Sequence, residues 1–298
     1  MPELPEVETI RIGLVRRVEG LTVKDIEVRV EKLFKGDIKD VIGVKIIGIR
    51  RRAKVLIIDL SNSKSLLIHL KMTGQLVYQS ADEKEKVVGG LARNASKLSC
   101  MAGGHPQKSY NQPLPHKHTH IIFTFTNGGY LYFNDLRKFG WMMIVKTNEV
   151  GEMEFMRELG LEPLDEQFKM QKSKIKMAMQ NLKRPIKTLL TDQSFIAGVG
   201  NIYSDEILYA SKIRPNRSSS SLSNKEIDKL FEVIPIVLKK ALKYGGTSDS
   251  TYVGVDGERG DYLKVASMYH QKLDPKGHKV TKIKIGGRTA HFCPICQK

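Results

Sequence analysis

Behind the opening MPELPEVETI, Val7, Ile10 and Leu14 stand at helical spacing and predict an amino-terminal helix. Pro5 suits its first position, and Glu6 and Glu8 suit the positive end of its dipole. The pattern then changes period. LTVKDIEVRV, VKIIGIRRRAKVLIIDL and SLLIHLKMTGQLVYQ are β-branched runs with partial alternation, and read as strands. HIIFTFTNGGYLYFND reads as a hairpin turning at Asn127-Gly128-Gly129. The stretch from Gln79 to Pro115, rich in Gly, Ser, Asn and Lys, reads as a long exposed loop.

Helical patterns dominate from Asn148 onward. RPIKTLLTDQ predicts a helix with Pro185 early in it, and a serine-rich connector, Ser218 to Ser221, follows. SNKEIDKLFEVIPIVLKKALKYGG predicts a longer helix. Its capping box is Ser223 with Glu226, its apolar face is Ile227, Leu230, Phe231, Ile234 and Leu238, and its stop is Gly245. Pro235 predicts a kink. The ending IKIGGRTAHFCPICQK predicts a small hairpin turning at Gly286-Gly287.

Charge narrows the partner. Forty-nine Lys and Arg against 32 Asp and Glu leave a net charge of +17, which points to a polyanion, most simply nucleic acid. An anionic membrane surface is the competing reading. No apolar run is long enough to span a membrane and the acidic amino end is unlike a signal peptide, so a cytoplasmic protein is expected. Three cysteines do not make a disulfide framework.

A helix start leaves Pro2 and Glu3 unexplained. With Met1 removed, Pro2 becomes a secondary amine whose pKa near 8 leaves roughly a tenth neutral at pH 7. Such an amine attacks a sugar C1′ and forms an iminium that cannot lose its charge by deprotonation. That ion is an electron sink suited to cleaving a β bond. The chemistry needs an adjacent acid, and Glu3 is next in the chain, with Glu6 suited to orienting the site.

PELPEVE, RRAKVLIIDL, HLKMTGQL, KHTHIIF, NDLRKFG, GVGNIYSDEILYA and GGRTAHFCPICQ occur in one order along the chain. Together they closely resemble the formamidopyrimidine-DNA glycosylase family, and PELPEVE resembles its oxidised-purine branch. The resemblance implies an α+β fold. A helix-led β-sandwich would occupy residues 1–147, a helix–two-turn–helix domain 148–261 and a finger-like hairpin 262–298. It implies a bifunctional glycosylase and abasic-site lyase acting on 8-oxoguanine and formamidopyrimidines. The partner would be damaged double-stranded DNA, bound by a monomer in a basic cleft with the lesion flipped out. Pro2 would be the nucleophile and Glu3 the proton donor. Lys54 would serve β-elimination and Arg288 δ-elimination. Met72, Arg137 and Phe139 would fill the hole left in the duplex. His118, Asn201 and Lys183 would complete the DNA contacts.

Two features stand apart. His116, His118 and His120 alternate as if on one strand face, without a carboxylate or cysteine nearby. The family's finger holds zinc with two Cys-x-x-Cys pairs, whereas this chain has only Cys293 and Cys296. Counting back from GGRT puts the first pair at Leu273 and Lys276, neither a normal zinc ligand. Asp274-Pro275-Lys276-Gly277 reads as a tight turn, so a metal-free or vestigial finger is the favoured expectation. The rival completes the cysteine pair with two of His270, His278 and His291. The chemistry itself needs no cofactor. The alternative functions are a non-catalytic binder of damaged or abasic DNA and a sequence-specific DNA-binding protein.

Overall fold

The computed structural model describes residues 1–81, 100–104, 112–168, 170–247 and 260–298. The chain divides into two units: Met1–Arg157 with Gly245–Gly260, and Glu158–Tyr244 with Asp261–Lys298. The fold is mixed α and β.

The first unit opens with helix α1 (Leu4–Val18). Glu3 is its N-cap and closes a capping box with Glu6, so Pro5 takes the second helical position rather than the first. The helix-start reading therefore extends to Glu3. Nine strands follow along the chain: β1 (Val23–Val28), β2 (Phe34–Lys35), β3 (Ile46–Arg52), β4 (Val55–Leu60), β5 (Lys64–His69), β6 (Gly74–Gln79), β7 (Cys100–Gly104), β8 (Thr119–Phe125) and β9 (Tyr130–Asp135). A tenth, β10 (Trp141–Lys146), completes two five-stranded sheets, in orders β1-β8-β9-β6-β7 and β2-β10-β5-β4-β3.

One core lies between the sheets. Ile121, Phe123 and Phe133 of the first sheet and Leu56, Ile58 and Ile68 of the second join Val7, Ile10 and Leu14 of α1 in it. Each such side chain contributes about 1.5–3 kcal/mol on burial. The hairpin β8–β9 turns at Asn127-Gly128-Gly129, where Gly128 has φ 82° and the Asn127 side chain accepts the Gly129 N–H.

The expected loop from Gln79 to Pro115 is corrected in part. Cys100–Gly104 forms strand β7 on the edge of β6, and most of the rest of that loop lies outside the described residues. The VKIIGIRRRAKVLIIDL run is two strands, broken by a turn at Ala53-Lys54.

The second unit is helical. Its elements are α3 (Lys172–Asn181), α4 (Ile186–Leu190), α5 (Asn201–Ala210), α6 (Asn224–Lys243) and α7 (Tyr262–Val265), the short α2 (Glu154–Arg157) belonging to the first unit. Pro185 caps α4 instead of lying inside it. Helix α6 keeps the Ser223–Glu226 capping box, buries its apolar face and carries Pro235 internally. The hairpin β11 (Thr281–Ile285) and β12 (Arg288–Phe292) ends the chain, and α5 packs against β12.

Candidate active site and metal-capable cluster

At the start of α1, Pro2 and Glu3 are buried while Met1 is 46% exposed. Glu6 holds this end of the chain in place. Its Oε2 accepts the Glu3 N–H at 2.8 Å, and its Oε1 accepts the Thr247 N–H at 2.8 Å and the Thr247 hydroxyl at 3.0 Å. Gly246 permits that approach, since a Cβ there would fall 2.7 Å from Oε1.

Two residues further along, Glu8 joins α1 to the turn that carries Lys54. Arg51 donates to Glu8 at 2.9 Å and to the Ala53 carbonyl at 2.9 Å. Burial acts to raise the Glu8 carboxyl. Hydrogen bonds and charge from Arg11 and Arg51 outweigh it and hold the pKa below its usual range. Lys54 is 5% exposed and follows Ala53, whose φ is 51°.

Strand register brings further loops to the same end of the second sheet. Val55 and Trp141 both pair with His69. The Lys54 turn, the loop after β5 and the loop before β10 therefore emerge together. Met72 and Phe139 are 46% and 54% exposed, unlike the core packing usual for strand-flanking apolar residues. Arg137 links them, with Nη1 3.3 Å from Met72 Sδ and its guanidinium 4.9 Å from the Phe139 ring centre.

The three histidines do not share a strand face. Only His120 lies in β8, with Nε2 2.8 Å from the Asp135 carbonyl oxygen. His116 and His118 precede the strand, and the His118 N–H donates to His116 Nδ1 at 3.2 Å. Burial and the two neighbouring imidazoles press His116 down to about 4. Among the described residues these three are not part of a metal-capable group.

In the second unit, Asn201 is the first residue of α5, after Gly198 with φ 92°, and its Oδ1 is buried without a hydrogen-bond partner. Gln193 braces the preceding glycine loop, accepting the Gly198 N–H at 2.9 Å and donating to the Val199 carbonyl at 2.7 Å. Lys183 is exposed between α3 and α4. Arg288 is exposed just past the Gly286-Gly287 turn, on the rim of an open hollow of about 340 Å³ also lined by Arg184, Lys187 and Thr188. Lys187, which the sequence reading passed over, is buried and ion-paired to Asp205. Asp205 in turn accepts from His291 through N–H and Nδ1, both at 3.0 Å. A readable signal existed, since Asp205 and Glu206 are adjacent carboxylates beside Ile202, Tyr203, Ile207 and Leu208 in one helix.

The finger departs from the register expected for it. Leu273 is 56% exposed, and the residues that meet the cysteine pair are Asp274 and His278. One donor atom from each of Asp274, His278, Cys293 and Cys296 lies within 4.8 Å of all the others. Cys296 Sγ is 3.2 Å from Asp274 Oδ2 and 3.3 Å from His278 Nδ1. The Asp274 turn forms as read, with its Oδ1 accepting the N–H groups of Lys276 and His278. Burial, then the Asp274 carboxylate and Cys293, push the Cys296 thiol up to about 11. Of the rival's histidines only His278 joins the cysteines. His270 stacks on Tyr269, and His291 is held by Asp205.

Family models match both units. The formamidopyrimidine-DNA glycosylase N-terminal domain matches residues 1–142, and the helix–two-turn–helix domain of the same enzymes matches residues 159–253. The chain belongs to the formamidopyrimidine-DNA glycosylase family. Among its relatives, the Listeria monocytogenes formamidopyrimidine-DNA glycosylase is 37% identical, and that of Pelotomaculum thermopropionicum 36%; both alignments cover the whole of this chain and at least 99% of the relative. Two solved structures of Lactococcus lactis Fpg, bound to abasic-site DNA and to Fapy-dG DNA, match 99% of this chain at 29% identity. Their TM-scores are 0.80 and 0.79, over 99% and 100% of the solved chains. In this chain the Cys293/Cys296 pair is met by Asp274 and His278.

Proposed function

We propose that this member of the family is a bifunctional DNA glycosylase and abasic-site lyase. It excises oxidised purines such as 8-oxoguanine and formamidopyrimidines from duplex DNA. The observation that carries the reading is the amino end, where a buried Pro2-Glu3 pair heads α1 and Met1 alone projects to solvent.

Removal of Met1 turns the Pro2 amide nitrogen into a secondary amine. Its lone pair attacks C1′, and the C1′–N bond to the damaged base breaks. The base leaves with the bonding pair and is protonated. The attached Pro2 nitrogen gives up its proton, Glu3 protonates the sugar ring oxygen as the C1′–O bond opens, and the nitrogen lone pair forms the iminium. The iminium draws electrons from C2′ once a C2′ proton is lost, and the 3′-phosphate leaves by β-elimination. A second elimination expels the 5′-phosphate. Lys54 serves the first elimination and Arg288 the second, as cations against phosphate oxygens. Met72, Arg137 and Phe139 occupy the hole in the base stack, while His118, Asn201 and Lys183 contact the DNA.

The finger's donor set fits zinc. Two thiolates, an imidazole and a carboxylate are ordinary zinc ligands, and tetrahedral bonds of about 2.0–2.3 Å require donors spaced much as these are. Asp274, His278, Cys293 and Cys296 would hold the ion, which when bound supplies a structural crosslink and no step of the reaction.

Borohydride trapping on an 8-oxoguanine:cytosine duplex tests the function. Peptide mass mapping of the adduct should place it on an amino-terminal Pro2, and Pro2→Gly should yield far less adduct. Binding without adduct or nicking would overturn the enzymatic reading, and binding that also favours the damaged over the undamaged duplex would leave the non-catalytic binder of damaged DNA.

A further inference from the structure

Three exposed side chains, Met72, Arg137 and Phe139, stand on two separate loops. Beneath them lies one carboxylate, Asp135, with 0% exposure. Its Oδ1 accepts the Thr73 hydroxyl and the Arg137 N–H, the latter at 3.1 Å. Its Oδ2 accepts the Gly140 N–H at 2.7 Å. The Arg137 N–H also reaches Thr73 Oγ1, at 3.1 Å. One buried group thus ties the loop of Met72 to both ends of the loop of Arg137 and Phe139.

Both loops are under backbone strain at the residue before the projecting side chain. Lys71, just before Met72, has φ 50°, and Lys138, just before Phe139, has φ 54°. Left-handed conformations in non-glycine residues persist only where surrounding structure enforces them. Gly140 closes the second loop where no side chain fits, since a Cβ would lie 2.7 Å from Phe133 Cζ and 3.1 Å from Asp135 Oδ2.

We propose that Asp135, acting through Thr73, is a positioning residue that fixes the two loops as one rigid wedge for entry into the base stack. This rests on the reading of Met72, Arg137 and Phe139 as hole-filling residues. A rigid wedge meets the unstacked duplex already in register. Two independent loops would have to be ordered during extrusion, at a cost in entropy that slows the step. Asp135 has no contact with DNA in this scheme. Its effect should therefore appear only where a base must be turned out and replaced.

Asp135→Asn tests the brace. The amide keeps one accepting oxygen and sets a donor against either the Gly140 N–H or the Thr73 hydroxyl and Arg137 N–H. Buried charge-assisted hydrogen bonds of this kind are worth enough to slow wedge entry about tenfold or more. Two substrates separate the roles: an 8-oxoguanine:cytosine duplex, and a duplex with an abasic site opposite a second abasic site, where no base is extruded and none is widowed. Single-turnover base release on the first should fall about tenfold or more, while borohydride trapping on the second stays within about twofold. Thr73→Val, which keeps the volume, should show the same selectivity at smaller size, and it serves as the test should Asp135→Asn not fold. Equal losses on both substrates, or no loss on either, would overturn the proposal. Phe139→Ala, run alongside, separates the two levels of the argument. No selective loss in that variant removes the hole-filling reading itself. Selective loss there without it in Asp135→Asn and Thr73→Val removes only the brace.

Discussion

Glu6 and Thr247 lie 241 residues apart, yet the Thr247 N–H and hydroxyl both bind one Glu6 oxygen, at 2.8 and 3.0 Å. The other oxygen holds the Glu3 N–H. A single buried carboxylate therefore seats both the first residues of α1 and the segment that returns to this unit. Glu6→Gln replaces one acceptor with a donor that must face an N–H. It should cost about 1–3 kcal/mol of stability in urea unfolding and reduce borohydride trapping. Thr247→Val loses only the hydroxyl bond and should cost about 0.5–1.5 kcal/mol. Equal costs for the two would show that Glu6 does not bind both sides at once.

Arg51 connects α1 to Lys54 through Glu8 and the Ala53 carbonyl, and its side chain is 7% exposed. Arg51→Met leaves Glu8 with Arg11 and leaves the Ala53 carbonyl without this donor. The expected loss is about 2–3 kcal/mol of stability. The step assigned to Lys54 should slow more than base release does. Rapid-quench separation of base release from strand nicking reads the two, and parallel loss of both would count against a link to Lys54.

Much of this arrangement is legible in the chain, for reasons that differ by element. Asn127-Gly128-Gly129 marks its turn because positive φ is required there, and Ser223 with Glu226 marks a helix start because the capping box is reciprocal. The Cys100–Gly104 strand was not legible. Cys, Met, Ala and two Gly carry little strand propensity, and its place comes from pairing with β6. The Ala53-Lys54 turn hides inside a continuous β-branched run. Asp274 and His278 were missed as a pair because Asp before Pro reads first as a turn former, a role it also fills. Asp135 looks like an ordinary polar residue until its burial is known, and Asp205 stands out in the sequence only as half of an adjacent carboxylate pair.

The ring of His69 lies where Lys71 and Lys54 both bear on it. Burial first, then those two ammonium groups, lower its pKa to about 3, so it is neutral at pH 7 and accepts the Lys71 N–H at Nδ1. The unfolded chain protonates His69 near 6.5. Its contribution is therefore complete above about pH 6.5 and is lost as pH falls from there towards about 3. By pH 4 the loss should be roughly 3 kcal/mol. Urea unfolding of wild type and His69→Gln at pH 7 and pH 4 measures it. The wild type should lose more stability between the two pH values than the variant does, and identical losses would show that the ring does not stay neutral.

For the finger, the expected metal content is about one zinc per chain after purification without chelator. Cobalt exchange should give intense thiolate-to-metal absorption and tetrahedral visible bands. Asp274→Ala and His278→Ala should each weaken zinc retention against a competing chelator, while His270→Ala should not. These readouts do not depend on turnover. Absence of zinc together with failure to take up cobalt would return the finger to a hydrogen-bonded hairpin. Gln297 then remains as its anchor, accepting the Cys293 N–H and donating to the Ile213 carbonyl, both at 2.8 Å.

The position of Arg288 depends on a second anchor inside the same unit. Asp205 lies in α5 with 0% exposure and joins the buried Lys187 of α4 to His291 of β12, three residues beyond Arg288. A buried ion pair adds little net stability over an apolar pair, but breaking one side strands the other charge. Asp205→Asn should therefore cost about 3–5 kcal/mol, because it removes the carboxylate ion-paired to the buried Lys187. Lys187→Met in that background removes the stranded charge and should recover part of the loss, a coupling that a thermodynamic cycle measures. The amide at 205 still faces the His291 N–H and ring, so hairpin placement should remain impaired in the double variant. Its signature is a slowed δ-elimination with β-elimination near normal, read as accumulation of the β-product on a sequencing gel. Recovery of stability together with normal δ-product would show that Asp205 serves folding alone and that Arg288 is positioned by other contacts.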